Sequence, residues 1–497
     1  MTYLSAYLTA LAAALGLVPL LGGLAGRWGM VDAPGLRKVH SRAVPRVGGV
    51  GVFAAAAAAL ALVFAAGGRG AQSLWGLEPS MLAALAGTAV MFAVGLVDDA
   101  RGLRARTKLL AQTLAGCLIF AGGLRFGSLS IAGWFSWDLG WLSLPATLLW
   151  VMGVTNAVNL IDGLDGLSGG IALVACGAVA ALSAWMGRYG VSLVSLAAMG
   201  SLTGFLVFNI HPARVFMGDA GTLSLGFFLG ATSLYCSTHL GGLMGLGIVG
   251  LALGVALLDM FFSVLRRALE RRSIFAPDRG HIHHRLLDLG LSQRQVVAIM
   301  HAVTLLAAGL GLLMLPASEP ARFGILLCVI ALLVVIFRRV GAVRLKDAVK
   351  ALRHNWAIGR AIDVNRRTFE DGQLRLRAAG NFRQWWNAVC ASADAAGFCR
   401  LNMTVESRDH VNRSLLWQAD EHRYSGEMTL RLAVPVRHRR PGDSLWLGME
   451  IPVEDSLESA GHKAALFVRL LEEHSLAELT EANEDLLIHA AEETIAA

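Results

Sequence analysis

Long apolar segments, repeated along the first two thirds of the chain, constrain the fold more than any other feature of this sequence. Crossing the hydrocarbon core of a bilayer takes about 20 consecutive, mostly apolar residues in a helix. Eleven segments come near that length, which predicts an all-α polytopic membrane protein with about 11 transmembrane helices. They cover residues 3–25, 48–66, 80–97, 107–124, 142–158, 168–186, 191–209, 221–238, 243–265, 296–316 and 322–337.

The composition changes near Arg338. The whole chain is 16% charged, against about 25% in soluble proteins. Residues 1–337 carry 21 basic and 13 acidic side chains, whereas the remainder carries 22 and 23. We therefore predict a transmembrane domain over 1–337, a basic helical linker over 338–380 and a cytoplasmic α+β domain of unknown role over 381–497. The elements predicted in the last domain are helices at 382–396 and 457–482 and strands near 398–406, 413–418, 427–437 and 444–453.

Basic residues predict how the spans are oriented, because Lys and Arg concentrate in cytoplasmic loops. With the N-terminus outside, 17 basic residues fall in inside segments and 4 in outside segments. The inside segments are 26–47, 98–107, 159–167, 210–220 and 266–295, and the C-terminal domain lies on their side. Since the basic excess belongs to the membrane part, it indicates orientation and anionic ligands rather than nucleic-acid binding.

One polar segment, N-A-V-N-L-I-D-G-L-D-G-L-S-G-G at 156–170, lies between two apolar runs. Asn156, Asn159, Asp162 and Asp165 recur every three residues. The two asparagines can share one face near the end of a membrane helix, and the intervening glycines favour a turn for the two aspartates. The alternative is a polar loop, but carboxylates at a membrane edge are costly and usually functional.

Three further aspartates fall at predicted span ends on the same side. Asp98 and Asp99 directly follow an apolar run, and neighbouring carboxylates need a shared proton or cation. A general base or a Mg²⁺ site would use such a pair. Asp219 precedes an apolar helix and lies between glycines, so it can cap that helix, serve a ligand, or do both. We expect these carboxylates to line one cytoplasm-facing site together with the polar segment.

Two inside segments are rich in cationic and imidazole side chains. Residues 31–49 cluster basic groups that suit a lipid phosphate or a substrate phosphate, and a plain positive-inside anchor explains them equally well. Residues 271–290 contain three histidines within four positions. These could form a metal tract, but no cysteine is nearby and phosphate recognition is the favoured interpretation. The six cysteines of the chain are scattered and predict neither a disulfide framework nor a zinc site.

Taken together, these segments resemble the polyprenyl-phosphate N-acetylhexosamine-1-phosphate transferases, the GlcNAc-1-phosphate branch more than the muramyl-pentapeptide branch. The matching motifs are R-K-x-H…P-R-x-G-G at 37–49, D-D at 98–99, N-A-x-N-L-I-D-G-x-D-G-L at 156–167, F-M-G-D-A-G at 216–221 and D-R-x-H-I-H-H-R-L at 278–286. They occur in the family's order within residues 1–337, and the tail lies outside the resemblance.

The resemblance implies an enzyme of the bacterial inner membrane with a cytoplasmic active site. It would transfer a 2-acetamido-hexose 1-phosphate, GlcNAc-1-phosphate above all, from a UDP-sugar to undecaprenyl phosphate and release UMP. That reaction begins a cell-surface polysaccharide such as O-antigen, capsule, exopolysaccharide or wall polymer. The implied cofactor is Mg²⁺, with Mn²⁺ as a substitute. A homodimer and a protein partner for the C-terminal domain stay open.

The resemblance also assigns roles to residues. Asp219, helped by Asn159, would hold the metal on the pyrophosphate. Asp98 or Asp99 would deprotonate or orient the lipid phosphate. The catalytic candidates are the four carboxylates Asp98, Asp99, Asp162 and Asp165, of which the last two would position the nucleotide-sugar. The substrate-binding candidates are Asn156, Lys108, Arg37, Lys38, His40, Arg279, His281, His283 and His284.

The rival interpretation is a membrane scaffold or transporter whose cytoplasmic domain binds a partner. Transporters place polar residues near the bilayer midplane and often contain internal repeats, whereas the acids here gather at one face and no repeat is visible. A third hypothesis keeps the enzyme and gives the tail the task of recruiting polymer machinery. The sequence names neither the sugar nor the polymer, and it leaves open both direct transfer and a covalent aspartyl-phosphate.

Overall fold

The computed structural model describes residues 2–32, 43–131, 135–240, 243–269, 273, 280–341, 368–406, 413–419, 428–437, 444–453 and 457–475. The chain divides into two compact units, Met1–Leu345 and Lys346–Ala497. The predicted positions Arg37, Lys38, His40 and Arg279 lie outside the described residues.

Helices dominate the described part of the first unit. Their bounds are α1 Thr2–Leu24, α2 Gly48–Ala65, α3 Gly68–Trp75, α4 Pro79–Arg101, α5 Ala105–Ala121, α6 Ser143–Leu160, α7 Leu167–Trp185, α8 Tyr189–Asn209, α9 Gly218–Leu240, α10 Leu243–Ala252, α11 Gly254–Leu269, α12 Ile282–Asp288, α13 Gln293–Leu312 and α14 Glu319–Arg339. Two short antiparallel pairs accompany them, β1 Val31–Asp32 with β2 Val44–Pro45, and β3 Ser128–Ile131 with β4 Phe135–Asp138.

Eight helices are long and apolar enough to cross a membrane, namely α1, α2, α4, α6, α7, α8, α13 and α14. Each coincides with a predicted span, so the polytopic helical architecture is confirmed. Helices α5 and α9 occupy two more predicted spans without meeting the same criterion of length and hydropathy. Most of α9 is buried among other helices, so its Ser and Thr side chains at 222, 224, 232, 233 and 237 face protein.

The predicted span over 243–265 is broken into two helices. The segment forms α10 and α11, and the axes of Gly245–Ala252 and Gly254–Leu269 differ by 81°. The physical reason is visible in α11, where Asp259, Ser263 and Arg267 are buried. Residues spaced four apart share one helical face, so α11 has a buried polar stripe that packs on protein instead of continuing a straight path through lipid.

Helix α9 packs against α4 and α6, and glycines let these backbones approach closely. A Cβ atom placed on Gly95 of α4 would lie 2.4 Å from the Asp219 carbonyl oxygen. A Cβ on Gly226 of α9 would lie 2.7 Å from Cα of Thr155 on α6. Small residues permit such contacts between membrane helices, and here they bring the N-terminus of α9 to the C-terminal ends of α4 and α6.

The second unit contains a helix over 368–377, here α15, followed by α16 Phe382–Ala395 and α17 Leu457–Glu473. The four strands are β5 Arg400–Glu406, β6 Arg413–Gln418, β7 Thr429–Pro435 and β8 Ser444–Pro452. They form an antiparallel sheet in the order β6-β5-β8-β7. Buried side chains of the sheet and the helices form one separate hydrophobic core, which confirms the predicted α+β character.

Candidate active site

Lys108 joins two carboxylates that are far apart in sequence. Its Nζ atom lies 2.8 Å from Asp98 Oδ2 at the end of α4 and 2.8 Å from Asp219 Oδ2 at the start of α9. The Asp98 side chain is 10% exposed and that of Asp219 is 28% exposed. The more accessible carboxylate is therefore Asp219, and a ligand that enters would meet it first.

Asp99 binds backbone groups, whereas the adjacent Asp98 pairs with a side chain. Its Oδ1 accepts the backbone N–H of Asp219 and its Oδ2 accepts that of Ala220, each at 2.9 Å. Helix N-termini leave such donors without partners and favour negative charge. The buried Asp99 thus caps α9 from another helix, and the carboxylate of Asp219 makes its hydrogen bonds with side chains instead.

The two asparagines on α6 reach different neighbours. Asn159 Nδ2 donates to Asp219 Oδ1 at 3.1 Å and to Thr222 Oγ1 at 2.8 Å. Asn156 Nδ2 donates to Gln112 Oε1 of α5 at 2.9 Å. Asn159 therefore orients the carboxylate of Asp219, with its amide nitrogen facing it, whereas Asn156 lies in an amide pair with Gln112.

The aspartates that follow α6 lie on a turn between α6 and α7, as the glycines predict. Asp162 accepts a hydrogen bond from Ser168 Oγ. Asp165 Oδ2 lies 2.7 Å from His211 Nδ1 and accepts the N–H of Ala213 at 3.1 Å. The turn is thereby tied to the loop that leads into α9.

The carboxyl group of Asp162 has a raised pKa. Burial, together with the smaller effect of the nearby charges of Asp219, Asp99 and Asp165, raises the pKa of its carboxyl group to about 7, and the Ser168 hydrogen bond opposes this rise. Carboxyl groups with such shifts often occur in functional sites. The shift also places these four aspartates in one electrostatic neighbourhood.

Sequence reasoning missed several residues that hold this neighbourhood together. Asn209 is buried and accepts the N–H of Gly166 at 3.0 Å, while its amide donates to the Val215 carbonyl at 2.8 Å. Arg294 of α13 donates to the His211 carbonyl at 3.2 Å. A buried amide at the end of an apolar span was the signal available for Asn209, because such a group must find partners inside the protein.

The histidine motif forms the start of α12. His281 and His283 are buried, and their rings are nearly parallel with centroids 5.6 Å apart. The His284 ring lies 4.3 Å from that of His283. A Cβ atom on Gly163 would lie only 2.7 Å from His283 Nε2, so this ring packs on the Asp162 turn. Burial lowers the pKa of His283 to about 4, and the ring is neutral at pH 7.

Asp259 of α11 holds the beginning of α12. Its Oδ1 accepts the Ile282 N–H at 2.8 Å and its Oδ2 lies 2.9 Å from His281 Nδ1. The carboxylate is 4% exposed. This residue was absorbed into a predicted span, although an acid inside an apolar segment is itself a signal of function.

Mg²⁺ needs oxygen ligands, and the site offers them sparingly. Within the described ranges, no group of three His, Cys, Asp or Glu side chains is placed to hold a metal ion. Mg²⁺ commonly binds through one or two carboxylates plus substrate phosphates and water. Asp219, whose Oδ1 accepts a hydrogen bond from Asn159 and whose Oδ2 pairs with Lys108, fits that mode as the protein carboxylate.

Known proteins resemble the chain over this same region. The family described as Glycosyl transferase family 4 matches residues 81–237. A probable undecaprenyl-phosphate N-acetylglucosaminyl 1-phosphate transferase of Bacillus subtilis (strain 168) is 33% identical over 299 residues, which cover 60% of this chain and 81% of the relative.

Two further relatives extend the comparison. A decaprenyl-phosphate N-acetylglucosaminephosphotransferase of Mycobacterium leprae (strain TN) is 33% identical over 57% of this chain and 76% of its own length. A phospho-N-acetylmuramoyl-pentapeptide-transferase of Desulforudis audaxviator (strain MP104C) is 35% identical over 62% of this chain and 95% of its own length.

Proposed function

Since the chain belongs to the polyprenyl-phosphate N-acetylhexosamine-1-phosphate transferases of glycosyl transferase family 4, we propose that it transfers GlcNAc-1-phosphate from UDP-GlcNAc to undecaprenyl phosphate. UMP is the second product, and the lipid-linked sugar begins a cell-surface polysaccharide. The chain is a multi-pass membrane protein. Its site faces the cytoplasm in this proposal, which the asymmetry of basic residues supports.

The observation that carries the proposal is the cluster of Asp98, Lys108 and Asp219 at the buried start of α9, next to the turn of Asp162. Joining two phosphates requires that their charges be brought together and neutralised, with little covalent help from protein groups. A lysine between two carboxylates supplies a cation and two anionic oxygens at one point. Bound Mg²⁺, held by Asp219, would neutralise charge on the donor pyrophosphate.

The residues of the chain suit direct attack by the lipid phosphate. Lys108 attracts that phosphate, and Asp98 accepts its remaining proton. A phosphate oxygen then bonds to the β-phosphorus of the UDP-sugar while the bond from this phosphorus to the bridging oxygen breaks, and UMP leaves with that oxygen. Asp99 contributes by fixing the start of α9, since both of its oxygens bind backbone N–H groups.

The donor is proposed to lie against the Asp162 turn and the α12 histidines. These elements touch, because the His283 ring packs on Gly163. They offer a carboxyl group with a pKa of about 7 and a neutral imidazole, both suited to sugar hydroxyl and amide groups rather than to another charge.

A donor-panel assay tests the function. Membranes that contain the protein are supplied with undecaprenyl phosphate, Mg²⁺ and one UDP-sugar at a time, and UMP and lipid-linked product are measured. We expect product with UDP-GlcNAc and less with UDP-GalNAc. UMP from neither sugar, nor from any other UDP-N-acetylhexosamine, would contradict the enzyme assignment. Product from UDP-GalNAc alone would correct the sugar and leave the reaction.

A further inference from the structure

Asp259 is the one residue outside the motifs whose carboxylate joins an imidazole of the site to a neighbouring helix in the described structure. It lies on α11, beyond the 81° bend, and is 4% exposed. One oxygen accepts the Ile282 N–H at 2.8 Å, and the other lies 2.9 Å from His281 Nδ1. A buried carboxylate is costly unless its oxygens are satisfied by such partners.

The contact continues from His281 to the proposed donor site. The imidazoles of His281 and His283 stack with an interplanar angle of 9°. The His283 ring in turn lies against Gly163, next to Asp162. A rotation of the His281 ring would therefore disturb the stacked pair and the turn on which that pair packs.

A comparison with Asp99 separates capping from positioning. Each carboxylate lies on one helix and accepts hydrogen bonds from the first backbone N–H groups of another, α4 to α9 for Asp99 and α11 to α12 for Asp259. Asp99 uses both oxygens on backbone N–H groups of α9, so it acts as a cap alone. Asp259 uses one oxygen for the backbone and the other for an imidazole nitrogen, which a cap does not require.

The hydrogen bond between Asp259 and His281 Nδ1 determines which ring nitrogen of His281 is left for a ligand. With its proton on Nδ1 and donated to Asp259, the neutral ring of His281 presents the Nε2 lone pair, and the cationic ring presents Nε2–H along the same direction. Carboxylate partners fix the tautomer and the orientation of metal-bound histidines in this way, and their loss lowers metal affinity or activity.

We propose that Asp259 is a positioning residue of the transferase: it holds His281 in one tautomer and one orientation, so that Nε2 meets the UDP-sugar. The inference rests on the proposed function, because the ligand of His281 is the donor. It assigns Asp259 no contact with either substrate.

Kinetics of purified protein test the inference, with the two substrates varied separately. Asp259→Asn keeps the shape of the side chain and removes its charge. We expect the KM for UDP-GlcNAc to rise roughly tenfold to a hundredfold, by analogy with the loss of a carboxylate that orients a metal-bound histidine. The KM for undecaprenyl phosphate should stay near its original value, because the lipid phosphate is assigned to Lys108 and Asp98.

A double-mutant cycle distinguishes positioning from plain structural support. His281→Gln leaves the bond from Asp259 to the Ile282 N–H available and should raise the donor KM by itself, so it also serves if Asp259→Asn does not fold. The double variant should be no worse than the weaker-binding single variant, since Asp259 acts only through His281. The matched control is Ser263→Ala, which removes another buried polar group from α11 and should leave the donor KM unchanged.

The outcomes are separable. Additive effects in the cycle, or an equal rise in both KM values, would show that Asp259 only supports the fold and would overturn the inference. A normal donor KM for either single variant would do the same. If the unmodified protein released no UMP from any UDP-sugar, the proposed function itself would fail, and that result is read before any variant is made.

Discussion

The ammonium of Lys108 and the carboxylates of Asp98 and Asp219 compensate one another at 2.8 Å distances, so the loss of any one of them changes the charge that a ligand meets. A charged hydrogen bond contributes about 1.5–3 kcal/mol net, and removing one partner leaves the other uncompensated. At the residue scale, the site is therefore more sensitive to a change of charge than to a change of shape.

Asp219→Asn is the sharpest test of that charge. The amide keeps the size of the side chain and can still accept from Asn159, but it removes the negative charge that would hold Mg²⁺. We expect UMP release at millimolar Mg²⁺ to fall at least about 100-fold, the scale seen when one stabilising group is lost from an active site. Asp138→Asn in the β4 strand, where the side chain is exposed, is the matched control. Near-normal turnover of Asp219→Asn would remove its metal role.

Asp162 predicts a pH dependence of stability. Burial raises its folded pKa to about 7, above the value near 3.9 expected in an unfolded chain. Its contribution to stability is therefore fully present below about pH 4 and is lost as the pH rises through 7. We expect the Tm of the unmodified protein, measured in EDTA, to fall relative to that of Asp162→Asn as the pH is raised from 5.5 to 8.5. A difference that is constant with pH would contradict the raised pKa.

The sequence predicted the residues of the site better than their partners. Asp98, Asp219 and Asn159 were placed together because span ends on one side of a membrane share a depth, and the structure brings them into contact. The partnership of Gln112 with Asn156 depends on which helices are neighbours, and no local pattern encodes that. Asp99 and Asp98 are adjacent in sequence, yet only the position of α9 shows that one caps a helix and the other binds Lys108.

At the scale of elements, apolar length predicted where helices occur, since backbone in lipid must satisfy its own hydrogen bonds. It does not reveal the bend between α10 and α11, because hydropathy averages away the buried polar stripe of α11, which matches a protein surface. It also gave no hint of α3, whose eight residues Gly68–Trp75 are too few and too polar to cross a bilayer.

The close approach of α4 and α9 gives a prediction at this scale. In Gly95→Ala, the new Cβ would lie 2.4 Å from the Asp219 carbonyl oxygen and 2.5 Å from Ala220 Cα. These are backbone atoms, so α9 must shift as a unit, and overpacking of this kind costs about 1–3 kcal/mol. We expect a lower Tm together with a loss of UMP release. Gly309→Ala, whose Cβ would meet nothing within 4 Å, is the control, and equal Tm values for the two variants would contradict the tight contact.

At the scale of the whole molecule, every described residue of the candidate site belongs to the unit Met1–Leu345. The second unit has its own hydrophobic core, so its removal leaves the packing of the first unit's core intact. We expect deletion of the second unit, 346–497, to preserve UMP release in isolated membranes. Under the hypothesis that the tail recruits polymer machinery, polymer formation in cells falls at the same time. Loss of UMP release from correctly inserted, stable truncated protein would instead make the domain part of the catalytic machinery.

The burial of α9 has a consequence for the time at which the site comes into existence. Chains are synthesised from the N-terminus, so α4, α5 and α6 leave the ribosome before α9 does. Until then, the Lys108 ammonium has Asp98 as its only carboxylate in the described cluster, and Asp99 has no helix to cap. The arrival of Asp219 completes both arrangements in one step. A nascent chain thus has neither the Lys108–Asp219 ion pair nor the Asp99 cap until α9 is in place, and the α12 histidines of the proposed donor site follow still later.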